Sequence, residues 1–478
     1  MRRLAVPLLL VVCGCAQGDR VQETSLATST VQGDSESEIR LDLSLNQIAA
    51  GASRARDLKP QVEISGADLD IGTIADARFI GRKKLAVLDR RSRHVLILDP
   101  ETGSTHRVGR PGRGPGEFAD PWAMVAVGEN LVVTQPVDPA FIVFDSTGGY
   151  LRSVPRPVNG DWRNPLFRAP SLRSDDVQNG PEDVKRRLRA DGDSAFFHIL
   201  QPDESQMRQD SFDLAAPPAY VIRYRLDLQI RDTVTVLKAP ALTRGKVRAG
   251  GWQDYEQELF APWPLIATGD GWIAFANGES AAITVRRATP ARQVRVTWPF
   301  DRPEITENEK DVANHWVMED AFRASAEFET EWKGFPKGRQ KQLLEQQKNE
   351  YLSFHDRAPT ITGMFGSGAC LFMTGFNVTD NLSGVSRTVV GLNIETGEAE
   401  VVRIQDADET LRDFSPERIA TTKRDQDGEW HIRIYTHGLS CSASEPAARA
   451  ESGTRGRQSR RPPVANDVRN RQPTRKSP

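Results

Sequence analysis

The chain has little of what short catalytic motifs are made from. Its seven histidines (His94, His106, His198, His315, His355, His431 and His437) are scattered, with no His-Glu-x-x-His helix and no paired spacing that would mark a zinc site. Residues Gly363-Met-Phe-Gly-Ser-Gly368 hold glycine and serine but not the Gly-x-Ser-x-Gly order of a nucleophile elbow, and read as a turn. Asp425-Gln-Asp427-Gly428 resembles the middle of a calcium loop, yet Lys423 stands where the first ligand belongs and no glutamate follows at the twelfth place, so a hairpin turn is the better reading. The glycine-rich run near Gly109 lacks the Gly-Lys-Ser/Thr ending of a phosphate loop. Cysteines number four, two of them within the first fifteen residues. The apolar run from Leu4 to Val12 is too short to span a bilayer.

What the chain does have is a recurring pair of short aliphatic runs. Leu85–Asp89 and Val95–Asp99 are separated by a polar turn and closed by Gly103; Leu131–Gln135 and Phe141–Asp145 repeat the pattern and are closed by Gly148 and Gly149. Runs of this length bounded by turn residues are strands. The spacing from Leu85 to Leu131 is 46 residues, which falls among the four-stranded blades of a propeller. Weaker copies follow at Phe196–Leu200 with Tyr220–Tyr224, Trp272–Ala276 with Ile283–Arg286, Leu371–Thr374 with Thr388–Leu392, and Arg418–Thr422 with Trp430–Ile434. Six units leave no remainder if Gln61–Ser65 supplies an outer strand to the last blade and closes the ring, which would otherwise expose strand edges at both ends.

The connector Gly109-Arg-Pro-Gly-Arg-Gly-Pro-Gly-Glu-Phe-Ala-Asp-Pro121 joins the first two units, and with them it resembles the NHL-type β-propeller repeat. The resemblance covers about 70 residues well, from Leu85 to Leu151. It implies an all-β, six-bladed propeller over residues 60–437, and says far more about fold than about function.

The first residues carry an address. Arg2 and Arg3 precede the apolar run, and Val12-Cys13-Gly14-Cys15 resembles a bacterial lipobox with Cys15 as the acylated residue, giving a signal peptide over 1–15. An ordinary cleaved signal is the alternative. Ala16 stands after the cysteine, where aspartate would resemble inner-membrane retention, so the expected location is the outer membrane, facing the periplasm, with a lipid anchor. Residues 16–59, rich in serine, threonine, glutamine and acids, read as a flexible tether. Residues 438–478 carry nine basic against three acidic groups and almost no large apolar residue, and read as a disordered tail at +6 while the remainder stands at −8. Behind an export signal this tail points to loose contact with anionic lipid or glycan, or to none, rather than to nucleic acid. Export also permits a disulfide between Cys370 and Cys441; a small buried thiol at Cys370 is the alternative.

Two insertions interrupt the blades. Residues 155–194 read as a charged surface loop with one short helix near Pro181 to Ala190. In 303–354, Thr306 and Glu309 have capping-box spacing, and Val317, Ala321, Ala324, Phe328 and Trp332 recur at helical intervals, so an α-helical insertion between blades 4 and 5 is expected.

For function, two classes stand. The first is a monomeric binding or scaffold module whose channel face takes a protein, peptide or glycan of the cell envelope, with Arg110, Arg113 and His106 as candidate ligand contacts, since arginine grips carboxylate or phosphate bidentately. The second is a metal-dependent enzyme, because some six-bladed propellers are lactonases or lyases with a channel-bound metal. Asp120, Gln135 and His198 lie near inner-strand positions without forming a recognised ligand set, so no cofactor is identified, and a channel calcium or zinc belongs to this second class alone.

Overall fold

The computed structural model describes residues 28–32, 36–50, 55–81, 83–135, 140–155, 188–191, 194–200, 218–226, 231–238, 242–247, 253–257, 262–287, 292–308, 310, 336, 338, 356–375, 387–406, 409–425 and 427–441. The chain enters through a hairpin of β1 (Thr28–Gln32) and β2 (Glu36–Leu41), a short helix α1 (Leu45–Ala50), then β3 (Arg56–Leu58) and β4 (Val62–Ser65). Blade 1 is β5 (Ile74–Ile80), β6 (Lys84–Asp89), β7 (His94–Leu98) and β8 (Thr105–Val108), and a connector with the two-residue pieces β9 (Arg110–Pro111) and β10 (Glu117–Phe118) leads on. Blade 2 is β11 (Ala123–Val127), β12 (Asn130–Thr134), β13 (Ala140–Phe144) and β14 (Tyr150–Pro155). Blade 3 is β15 (Leu188–Asp191), β16 (Ala195–Leu200), β17 (Pro218–Arg225) and β18 (Arg231–Lys238), followed by a separate hairpin of β19 (Leu242–Val247) and β20 (Gln253–Gln257). Blade 4 is β21 (Pro264–Gly269), β22 (Trp272–Asn277), β23 (Ala282–Arg287) and β24 (Arg292–Thr297); blade 5 is β25 (Gly363–Ser367), β26 (Cys370–Thr374), β27 (Arg387–Asn393) and β28 (Ala399–Ile404). Blade 6 takes β29 (Thr410–Phe414), β30 (Arg418–Arg424) and β31 (Trp430–Thr436) from the C-terminal side and β4 from the N-terminal side.

The ring closes as the sequence requires: Val62 pairs with Ile434, Ile64 with Ile432 and Ser65 with His431, antiparallel. The innermost strands β5, β11, β15, β21, β25 and β29 neighbour one another in that order and return to β5. Six clusters of buried side chains fill the six gaps between adjacent blades, one to each gap. Because every blade is covered on both faces, its middle strands read as continuous apolar runs rather than alternating ones; Leu85, Ala86, Val87 and Leu88 are all buried. Two glycines are fixed by close approach: Gly109, at φ +74°, lies under the Phe118 ring, and Gly368, at φ +57°, lies against the Cys441 carbonyl. In both, a side chain would meet backbone strain and a clash together.

Five expectations need correction. The strand pairs read from the sequence are the second and third strands of each blade, not the innermost, so Cys370 opens β26 rather than an inner strand. In the segment read as a tether, residues 28–32, 36–50 and 55–59 are described and hold β1, β2, α1 and β3: β2 runs parallel beside β24, and β3 parallel beside β28. The entering chain thus crosses the outer edges of blades 4, 5 and 6 in turn, burying Ile39, Leu41 and Leu45 in the cluster between blades 4 and 5, each worth about 1.5–3 kcal/mol. The segment read as a tail from residue 438 starts inside the fold, with Cys441 buried and bonded to Cys370. The segment 155–194, read as a loop with a short helix near 181–190, contains the innermost strand of blade 3, β15. The helical insertion lies almost wholly outside the described residues; Glu307, Asn308 and Lys310 at its start are helical, with Lys310 N–H bonded to Thr306 O, and what the structure supports is the all-β ring.

Candidate functional site

The connector between blades 1 and 2 is pinned to the ring before it presents any charge. Gln135 at the end of β12 accepts from the Ala119 and Asp120 backbone N–H groups at 2.9 and 3.3 Å. Asp120 receives Arg90 at 3.1 Å and the Trp122 indole N–H at 2.6 Å, and the Arg90 guanidinium stacks 4.7 Å over the Trp122 ring. Trp122 itself is buried between blades 2 and 3, among Phe141, Phe196 and Tyr224. On the facing turn between β6 and β7, the buried Asp89 carboxylate accepts from Thr73, Arg91 and Ser92 backbone N–H groups through Oδ1 and from Gly72 through Oδ2. That turn ends on Arg93, whose φ of +54° is one of two left-handed values at non-glycine residues among those described, a conformation that persists only where the surroundings impose it.

These two fixed segments enclose a surface cavity of about 330 Å³ lined by Arg93, Gly112, Arg113 and Ala119. Arg93 and Arg113 are exposed, and among the described residues neither guanidinium pairs with a carboxylate, though the Arg113 backbone N–H bonds Glu117. Two guanidiniums facing one small cavity, with glycine backbone between them, can take an acidic group by paired N–H···O bonds. Arg110, expected to act beside Arg113, is instead spent on Glu117 at 2.9 Å. The Gly114 N–H and then Arg110 hold that carboxyl below the ordinary glutamate range. His106 does not join them. It lies on β8 toward the other end of the strand, paired with Ile97, beside Gly148 of blade 2, and burial lowers its pKa. Asp120 and Gln135 brace the connector, and His198 stands on β16, a second strand. Arg93 is the residue that sequence reading missed. Its signal is the basic run Arg90-Arg91-Ser92-Arg93 in a two-strand turn, which only the hairpin brings to Arg113.

The inner wall of the ring is built from arginine. Arg78 of β5 donates to Met124 O of blade 2 at 3.2 Å and to Arg412 O of blade 6 at 2.9 Å, with Asp76 at 3.3 Å and Asp413 at 3.7 Å. Arg189 of blade 3 reaches Met364 O of blade 5 at 3.1 Å and lies 5.3 Å over the Phe365 ring. Arg412 of blade 6 returns to Thr422 at 2.7 Å. Asp413 is pushed up by burial, against the pull of Arg78. Both carboxylates here are held by Arg78, so a cation at this wall would face guanidinium charge.

A third group lies at the β30–β31 turn, where Asp425, Glu429 and His431 bring carboxylate and imidazole atoms within 4.8 Å of one another. His431 Nε2 is 2.9 Å from Asp425 Oδ2, and this bond holds the Asp425 carboxyl below its usual range.

Topology and closure define the chain as a six-bladed β-propeller. No family model matches it, and no curated protein matches it by sequence. Solved structures resemble it at a distance. A member of the DUF4221 family from Bacteroides vulgatus is 9% identical, covering 79% of this chain and 97% of its own, with a TM-score of 0.40. Virginiamycin B lyase from Staphylococcus aureus is 10% identical over 80% of this chain and 100% of its own, at 0.34. The Cps50 (Swd1) β-propeller domain of Myceliophteria thermophila is 9% identical over 80% and 100%, at 0.32.

Proposed function

We propose that this chain is an envelope-anchored binding module, held by a lipid on Cys15, whose connector face takes an acidic group of a protein, peptide or glycan. The observation that carries the reading is the cavity between Arg93 and Arg113, two guanidiniums without a carboxylate partner among the described residues, presented by segments that Asp89, Gln135 and Asp120 hold rigid. Rigid presentation lowers the ordering cost of binding. The enzyme reading has no comparable support among the described residues, where Asp76 and Asp413 of the inner wall are engaged by Arg78.

Each guanidinium–carboxylate contact is worth about 1.5–3 kcal/mol when shielded and close to nothing when solvated. Fluorescence anisotropy of labelled acidic and neutral peptides and uronic-acid oligosaccharides against the purified protein tests this. An Arg93→Ala/Arg113→Ala variant of unchanged thermal stability is expected to lose at least about tenfold in affinity for the acidic ligands alone. Equal affinity in both proteins, or no preference for acidic ligands, would remove the site.

A further inference from the structure

The β30–β31 turn assembles a second site, unrelated to the connector face. Gly428, at φ +86°, reverses the chain, with Gly428 N–H bonded to Asp425 O and Asp425 N–H to Glu429 O. The reversal carries Asp425, Glu429 and His431, separated by four and two residues in sequence, to one spot where their donor atoms lie within 4.8 Å of one another. We propose that these three side chains form a zinc site that clamps the closing strand of the ring.

The donor set decides the metal. One imidazole nitrogen and two carboxylate oxygens suit zinc, whereas calcium and magnesium prefer oxygen alone. Zinc holds such atoms at about 2.0–2.2 Å, so tetrahedral neighbours stand about 3.4 Å apart. His431 Nε2 and Asp425 Oδ2, hydrogen-bonded at 2.9 Å, part to about 3.4 Å as zinc takes the place of the shared proton, and the Glu429 donor lies within 4.8 Å of both. Asp425 and His431 are 30% and 22% exposed, which leaves the fourth position open to water.

What surrounds the donors is independent of them. Ser65 on β4 donates its hydroxyl to Glu429 Oε1, and Glu63, also on β4, stands 3.7 Å from His431 Nδ1. A ligating histidine commonly has a carboxylate at its second nitrogen, and ligating carboxylates are themselves hydrogen-bonded. Both supports come from the strand that closes the ring, whereas the donors come from the β30–β31 hairpin. A metal that binds only the closed arrangement stabilises it by mass action.

The test uses the full chain, stripped with a chelator and titrated with zinc chloride by calorimetry at pH 7.5. The wild type is expected to bind zinc at a site that His431→Ala and Asp425→Asn each weaken at least tenfold, with Glu63→Gln weakening it about tenfold. Zinc should raise the unfolding midpoint of the wild type and not of His431→Ala, whose metal-free midpoint controls for folding; should His431→Ala not fold, Glu429→Gln is read in its place. Binding by the folded variants that equals the wild type, or a wild type that takes up no zinc at this site, would overturn the proposal. A midpoint that rises with calcium and not with zinc would overturn the choice of metal.

Discussion

Glu63, on the strand that enters the ring first, and Arg433, on the strand that arrives last, are joined by a 2.9 Å ion pair across the β4–β31 seam. Arg433 also meets Asp406 at 2.8 Å and the fully buried Glu409 at 2.6 Å, and Glu409 accepts from the Tyr435 hydroxyl at 2.6 Å and from Thr421. The pKa of Arg433 is raised; burial opposes this, and the bonds to Glu409, Glu63 and Asp406 outweigh it. Closure is therefore a polar network as well as a strand ladder.

Arg433→Ala leaves Glu409 buried without its cation, a loss of the kind that costs about 3–5 kcal/mol. The network joins both ends of one ring, so calorimetry should show a single transition at lower temperature. An unchanged midpoint, or a separate early transition for blade 6 alone, would count against closure as a ring-wide constraint.

The Cys370–Cys441 bridge closes a loop of 71 residues and ties the segment after the last strand to blade 5. In the chain-entropy description a loop of this length is worth about 4 kcal/mol. Cys370→Ser with Cys441→Ser should lower the midpoint of denaturant unfolding by a corresponding amount with little change in slope, and reductant should lower the wild type toward the double variant. Full stability under strong reductant would show the bridge to be dispensable.

Stability should fall on mild acidification. His437 and His94 are buried, and burial is the first cause that lowers both pKa values below the ordinary histidine value of 6.5. The unfolded chain therefore binds these protons more readily, so the stability they contribute is present above pH 6.5 and is lost as pH falls through 6.5 toward the folded values. His437 Nε2 lies 3.1 Å from Ser415 O, and His437→Gln should flatten the decline of midpoint between pH 7.5 and 5.5. A decline as steep in the variant as in the wild type would assign it to other groups.

The proposed address rests on Cys15. Cys15→Ser should release the protein from the membrane fraction while Cys13→Ser leaves it there, as read by fractionation and labelled fatty acid. Label retained on the Cys15→Ser protein would contradict the lipobox.

How much of this was legible follows from where charge sits. The second and third strands announce themselves because blades cover both of their faces, leaving Leu85–Leu88 or Leu131–Val133 purely apolar. Innermost strands are hidden by the polar residues of the ring's inner wall: Ile74–Ile80 carries Asp76 and Arg78, Leu188–Asp191 carries Arg189, and Thr410–Phe414 carries Arg412 and Asp413. The entering strands β1 to β3 escaped because serine, threonine and acidic residues between them resemble a tether. At the site, Arg113 was visible in its glycine-rich connector, but its partner Arg93 lies twenty residues earlier in a different turn. No local pattern joins the two; the blade does. The same holds for Asp425, Glu429 and His431, which become neighbours once the Gly428 turn is formed.

The central claim is that the connector face is the working surface, and photo-crosslinking from that face tests it most directly. A photoreactive residue in place of Arg113 or Ala119 should trap a discrete envelope partner in living cells. The same residue at Leu151, half-exposed on the outermost strand of blade 2, should trap none. Adducts from Leu151 and none from the cavity would contradict the account.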